Sequence, residues 1–91
     1  MIVINTHRET AIVIKRDGHL VVLVTMGPGR LVTRRLAESQ FRTEWNELDG
    51  PIQPTVQRFL DHARSFGASQ EAIRGLERLL ARDQWVVANL F

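Results

Sequence analysis

Catalysis and metal binding need particular side chains at particular spacings, and this chain offers few candidates. It has 91 residues, with three histidines, ten carboxylates and no cysteine or tyrosine. No two of His7, His19 and His62 are three or four residues apart, the spacing that places two ligands on one helix face. Asp61 and His62 adjoin in sequence, and on a helix they point about 100° apart, so they form no dyad. A serine nucleophile needs a base beside it. Ser39 and Ser65 have no such partner in sequence, and Ser69 reads as a helix cap. Gly27-Pro28-Gly29 lacks the Lys-Ser/Thr of a phosphate-binding loop and precedes a strand, so it reads as a turn. Glu38, Glu44, Glu47 and Asp49 cluster as a solvated acidic face. These patterns lead us to expect no enzyme activity, no metal and no cofactor.

Basic residues are the other source of chemistry. Eleven of the twelve are arginine, Lys15 being the one lysine, and the net charge is +2. Such arginine usage suggests a GC-rich bacterial genome or its mobile elements. The charge is unevenly spread: residues 1–36 carry +4, residues 37–50 carry −3 and residues 51–91 carry +1. A basic block can attract phosphates or an acidic partner. Sheets that bind single-stranded nucleic acid also need aromatic platforms. Every aromatic residue here follows position 40, and none is expected in a strand. Lys15, Arg16, His19, Arg30, Arg34 and Arg35 therefore read as a solvated rim.

One segment carries a partial motif. In Ala63-Arg-Ser-Phe-Gly67-Ala-Ser69-Gln-Glu-Ala-Ile73-Arg-Gly-Leu76-Glu, a small residue allows close helix approach, Gly67 turns the chain and Ser69 caps the next helix. Ile73 and Leu76 lock the second helix onto the first. This resembles the helix-turn-helix core of bacterial and phage repressors. The resemblance covers about 15 residues and implies that Gln70 and Arg74 face base edges, with Arg64, Arg78 and Arg82 on phosphates.

The elements that must position these residues follow from patterning. Thr10–Arg16 and His19–Met26 are rich in β-branched residues and flank Asp17-Gly18, a strong signal for a two-residue hairpin loop. That loop pairs Arg16 with His19, Ile14 with Val21 and Ile12 with Leu23. After Gly27–Gly29, Arg30–Leu36 forms a further strand with Val32 beside Val24, and Ile2–Ile4 adds another. The central strand is apolar on both faces, which requires helices on one side and a barrel wall or second subunit on the other. Phe41, Trp45 and Leu48 predict a short helix over 37–48. Pro51 is placed to open a second helix, with a stripe of Ile52, Val56, Phe59, Leu60, Ala63 and Phe66 that stops at Gly67. Ser69 begins a third, with Ala72, Ile73, Leu76, Leu79 and Leu80 inward.

The expected fold is α+β: a three- or four-stranded antiparallel meander followed by three helices, in a single domain of residues 1–91. By size scaling such a chain buries roughly 64% of its surface, enough for one core. The longest apolar run, Leu20 to Val24, is five residues, far below the ~20 needed to span a bilayer, so no membrane association and a cytoplasmic location are expected. Residues 83–91 form an apolar tail in which Trp85, Val87, Leu90 and Phe91 suit a protein interface or homodimer contact. Two functions are thus in view. One is a small non-enzymatic protein-binding accessory or inhibitor, of phage or plasmid type. The other is a helix-turn-helix regulator that binds DNA through residues 58–82.

Overall fold

β-Branched segments lead and amphipathic segments follow, and the computed structural model obeys that order. It describes the backbone of residues 1–90 and the side chains of residues 1–82. The tail residues Trp85, Val87, Leu90 and Phe91 lie outside the residues whose side chains are described. The elements are β1 (Ile2–Asn5), β2 (Thr10–Arg16), β3 (Leu20–Thr25), β4 (Val32–Ala37), α1 (Glu38–Glu44), β5 (Trp45–Glu47), α2 (Gln53–Phe66) and α3 (Gln70–Leu90). This is the expected α+β arrangement, with a fifth strand. The sheet is antiparallel throughout, in the order β4-β3-β2-β1-β5. Among the described residues, no helix is long and apolar enough to cross a membrane.

The fifth strand shortens the helix expected over 37–48. Trp45–Glu47 pairs with β1 through Asn5↔Trp45 and Val3↔Glu47. Phe41 and Trp45 are buried as their spacing implied, whereas Leu48 is exposed because the chain has left the helix. Pro51 does not open the next helix. α2 starts at Gln53, with Pro54 in its first turn, where a missing N–H costs nothing.

The hairpin registers also depart from expectation. Asp17 accepts the N–H groups of His19 and Leu20 on one carboxylate oxygen, each at 2.9 Å. This side-chain turn replaces the two-residue loop. Arg16 therefore pairs with Val21, not His19, and a bulge between Val13 and Lys15 resets the pairing to Ile12↔Val24. Thr25, not Val24, lies opposite Val32. The bulge has a consequence for side-chain direction. Ile12 and Ile14 both reach the α2–α3 side, while Val13 and Arg16 reach the opposite one. Simple alternation would send Arg16 under the helices.

Each face has its own cover. On one, Ile12, Val24 and Leu31 pack with Val56, Phe59 and Leu60 of α2 and with Ala72 and Leu76 of α3. On the other, Val3, Val13, Val21, Leu23 and Leu36 pack beneath Phe41 of α1 and Trp45 of β5. The second face thus needs no second subunit to bury it, because a seven-residue helix between β4 and β5 folds back over it. Arg34 on one edge strand lies 5.8 Å from the ring of Trp45 on the other. The sheet therefore curls until side chains from its two edges meet.

α3 approaches β2 closely at Gly75. A Cβ there would lie 2.7 Å from Ile14 Cβ and 2.9 Å from Ile14 Cδ1 and Cγ2. Gly75→Ala ordinarily adds about 1 kcal/mol of helix propensity, but overpacking of about 1–3 kcal/mol opposes it. We expect net destabilisation in urea unfolding. Measured in an Ile14→Ala background, which removes Cδ1 and Cγ2 but keeps Cβ, Gly75→Ala should cost less than in the native chain, though not nothing. A more stable Gly75→Ala protein would contradict this packing.

Candidate functional site

The basic residues of the β half do not form one solvated rim; Arg16, Arg34 and Arg35 have internal partners. Arg16 reaches across the sheet face to Glu38, with Nε 2.9 and 3.1 Å from its two carboxylate oxygens and Nη2 in closer contact. Its guanidinium also lies 5.0 Å from the Phe41 ring. Arg42 donates to the same carboxylate at 3.2 Å. Glu38 is consequently buried, not part of a solvated acidic face. The Arg16 hydrogen bond is the main reason its carboxyl is held below the ordinary glutamate value. Asp17 is lowered too, by the N–H groups of Leu20 and His19. The three histidines sit apart, on the β1–β2 loop, the β2–β3 loop and α2. His62 donates from Nε2 to the Gly29 carbonyl at 2.5 Å and stacks on Phe66, with ring centroids 4.7 Å apart. It pins the Gly-Pro-Gly turn to α2.

β4 forms an edge of the sheet, pairing only with β3. Glu38 donates its backbone N–H to the His19 carbonyl. Counting back in twos along the antiparallel ladder turns Leu36, Arg34 and Val32 toward β3, and turns the backbone groups of Thr33, Arg35 and Ala37 outward. Leu31 obeys the same parity, since its N–H points away from β3 to the Gly67 carbonyl at 2.9 Å. A groove of about 330 Å³ beside this edge is lined by residues 30–33, Arg35, Ser69 and Glu71. Val32 is 47% exposed and Phe66, at the end of α2, is 58% exposed, two of the largest apolar exposures described. Phe66 was expected on the buried stripe; its place at the last turn carries it past the core. No carboxylate occurs between residues 18 and 37, whereas Arg30, Arg34 and Arg35 do. Arg35 is paired with Glu71 at 2.5 and 2.6 Å.

The helix pair has the junction its sequence implied. Gly67, at φ 96°, ends α2 with its N–H on the Ala63 carbonyl, and Ser69 Oγ accepts the Ala72 N–H at 3.2 Å. Gln70, Arg74, Arg78 and Arg82 lie exposed along α3, and Arg64 is exposed on α2. Carboxylates share that surface. Glu77 joins Arg74 and Arg78 around one shallow depression, Glu71 is engaged by Arg35, and Arg64 contacts Asp61 at 3.4 Å.

A further site was not anticipated from sequence. Asn5, Thr6, His7 and Glu9, together with Arg34, Thr43, Glu44 and Trp45, line a cavity of about 430 Å³ where the two sheet edges meet. Asn5 builds its wall: its Oδ1 accepts the N–H groups of His7 and Glu9, and its Nδ2 donates to Glu9 at 3.0 Å. The loop this holds includes Arg8 at φ 61°, a left-handed conformation uncommon outside glycine. Trp45 is 4% exposed, and its indole N–H has no acceptor among the described residues. Leaving such a donor unpaired costs about 1–3 kcal/mol. Trp45 is thus an aromatic residue in a strand, contrary to expectation, but it is buried under Arg34 and offers no stacking platform. The signal for this site was weak: the aromatic lies in what reads as a helix, and Asn5, Glu9 and Arg34, which precede it by 40, 36 and 11 residues, reach it only through strand pairing and the curl of the sheet.

No family model matches the chain, and no match is found among curated proteins or solved structures.

The Arg16–Glu38 pair makes stability depend on pH. Because the folded-state pKa of Glu38 is lowered, its contribution is complete above the unfolded value, near 4.5, and is lost as pH falls through the folded value. We expect the difference in urea midpoint between the native chain and Glu38→Gln to shrink with acidification through that window. A difference independent of pH would show that the ion pair adds nothing.

Proposed function

We propose that this protein is a small non-enzymatic accessory protein that binds another protein by taking an extended, carboxylate-bearing segment onto the open edge of β4. The observation that carries this reading is the outward parity of Thr33, Arg35 and Ala37. An edge with unused backbone donors and acceptors is a template for strand addition. The groove beside it supplies space, and the exposed Val32 on its lining supplies an apolar contact. Arg34 and Arg35 are engaged by Glu9 and Glu71, but Arg30, on the groove lining, has no carboxylate partner among the described residues and favours an acidic partner strand, because opposite charges across a strand pair stabilise and like charges do not. The same rule disfavours a second copy, since antiparallel pairing of two β4 strands centred on Arg34 or Arg35 opposes arginine to arginine. With both sheet faces covered by the chain itself, a homodimer is no longer required by this reading.

A DNA-binding reading has one observation in its favour, the exposure of Gln70, Arg74, Arg78 and Arg82 along α3. Glu71 and Glu77 on that helix lower its positive potential, so we place this reading second.

Selection from a displayed random-peptide library separates the two. The native chain should enrich peptides that alternate apolar and acidic residues. Ala37→Pro removes one outward N–H at a residue whose φ is already −64°, so it should fold normally. It should weaken those peptides roughly five- to ten-fold, the value of about one backbone hydrogen bond. Thr33→Pro tests the same point nearer the middle of the edge. Peptides that bind both variants as tightly as the native chain would overturn strand addition. Salt-sensitive micromolar binding to duplex DNA, lost in the Arg74→Ala/Arg78→Ala protein, would replace it with the DNA reading.

A further inference from the structure

The cavity between the two sheet edges is independent of the β4 backbone edge and has a chemistry of its own. Mouths of curled sheets are recurrent ligand sites, and about 430 Å³ falls in the range of small-molecule pockets. Its arginine is only partly engaged. Arg34 lies over Trp45 and has one ion-pair contact, 3.6 Å from Glu9, with no hydrogen-bond acceptor for its guanidinium among the described residues. Trp45, on the same wall, is buried, and its N–H meets no acceptor among the described residues. Two carboxylates, Glu9 and Glu44, face the same space, and Asn5 fixes the first of them. A simple anion would meet both glutamates. A simple cation would find the face of Trp45 already occupied by Arg34. The arrangement suits a ligand that carries both charges a short distance apart.

We propose that this cavity binds a small zwitterion of the amino-acid class, with its carboxylate on the Arg34 guanidinium and its ammonium between Glu9 and Glu44. Arg34 offers a planar fork of donors, which matches a carboxylate geometrically. The loop from Thr6 to Glu9 is tied down by three hydrogen bonds from Asn5, so the acidic wall is preorganised. A left-handed Arg8 in that loop is the type of backbone strain that accompanies ligand sites.

The test follows the Trp45 indole N–H by ¹⁵N NMR in the full chain, with its resonance assigned by comparison with Trp85→Phe. The common free L-amino acids are titrated, and for any that bind, the N-acetyl derivative and the carboxamide are titrated too. We expect a saturable shift of the Trp45 resonance by at least one free amino acid. Removing either charge should weaken binding at least about ten-fold, the value of one charge-assisted hydrogen bond. Arg34→Lys, which keeps the charge but loses the fork, should weaken the free acid and leave the carboxamide's affinity unchanged. No shift at millimolar amino acid would overturn the proposal and leave the cavity to water. Equal binding of the carboxamide and the free acid would overturn it as well.

Discussion

The structure depends on one constraint: strands β2 and β3 are apolar on both faces. Val21 to Val24 are at most 2% exposed, and each such side chain is worth on the order of 1.5–3 kcal/mol when buried. A small chain that commits its centre in this way must cover the sheet twice. α2 and α3 provide the larger cover, and they come close enough only because Gly75 has no side chain to meet Ile14. α1 and Trp45 provide the smaller one. The bulge after Val13 joins the two, since it turns Arg16 to the α1 side, where Glu38 and Phe41 receive it.

Those covers consume most of the chain's apolar surface and much of its charge, and this decides where function can reside. The arginines of the β half are largely engaged, with Glu38, with Glu71, or over Trp45. What remains is found at margins. One is the outer edge of β4, where parity leaves three residues with backbone groups facing outward. The other is the mouth where the sheet curls and its edges meet. Each is a by-product of closing the second face with a seven-residue helix, which is long enough to bury the core and too short to seal the gap between β4 and β5.

Much of this was legible in the residues. The β-branched runs, the two-sided central strand, the Gly67 stop and the Ser69 cap are local signals, and local hydrogen bonding and packing enforce them. Registers were less legible. Asp17 chose a side-chain turn over the backbone loop that Asp-Gly favours, and that choice moved every pair in the hairpin. Trp45 illustrates a deeper limit. Its spacing from Phe41 fits a helix, and only pairing with β1, 40 residues earlier at Asn5, makes it a strand residue. The cavity beside it was invisible for the same reason, because Glu9, Arg34 and Trp45 come together only through the curl of the whole sheet.

Amide hydrogen exchange along β4 tests the central claim most directly, because it reads backbone pairing one residue at a time. With an open edge, Val32, Arg34 and Leu36 are protected by their bonds to β3, while Thr33, Arg35 and Ala37 exchange close to the rate of unstructured chain. Alternating protection is the result this account requires. Uniform protection of all six amides would contradict it, because something would then already occupy the edge.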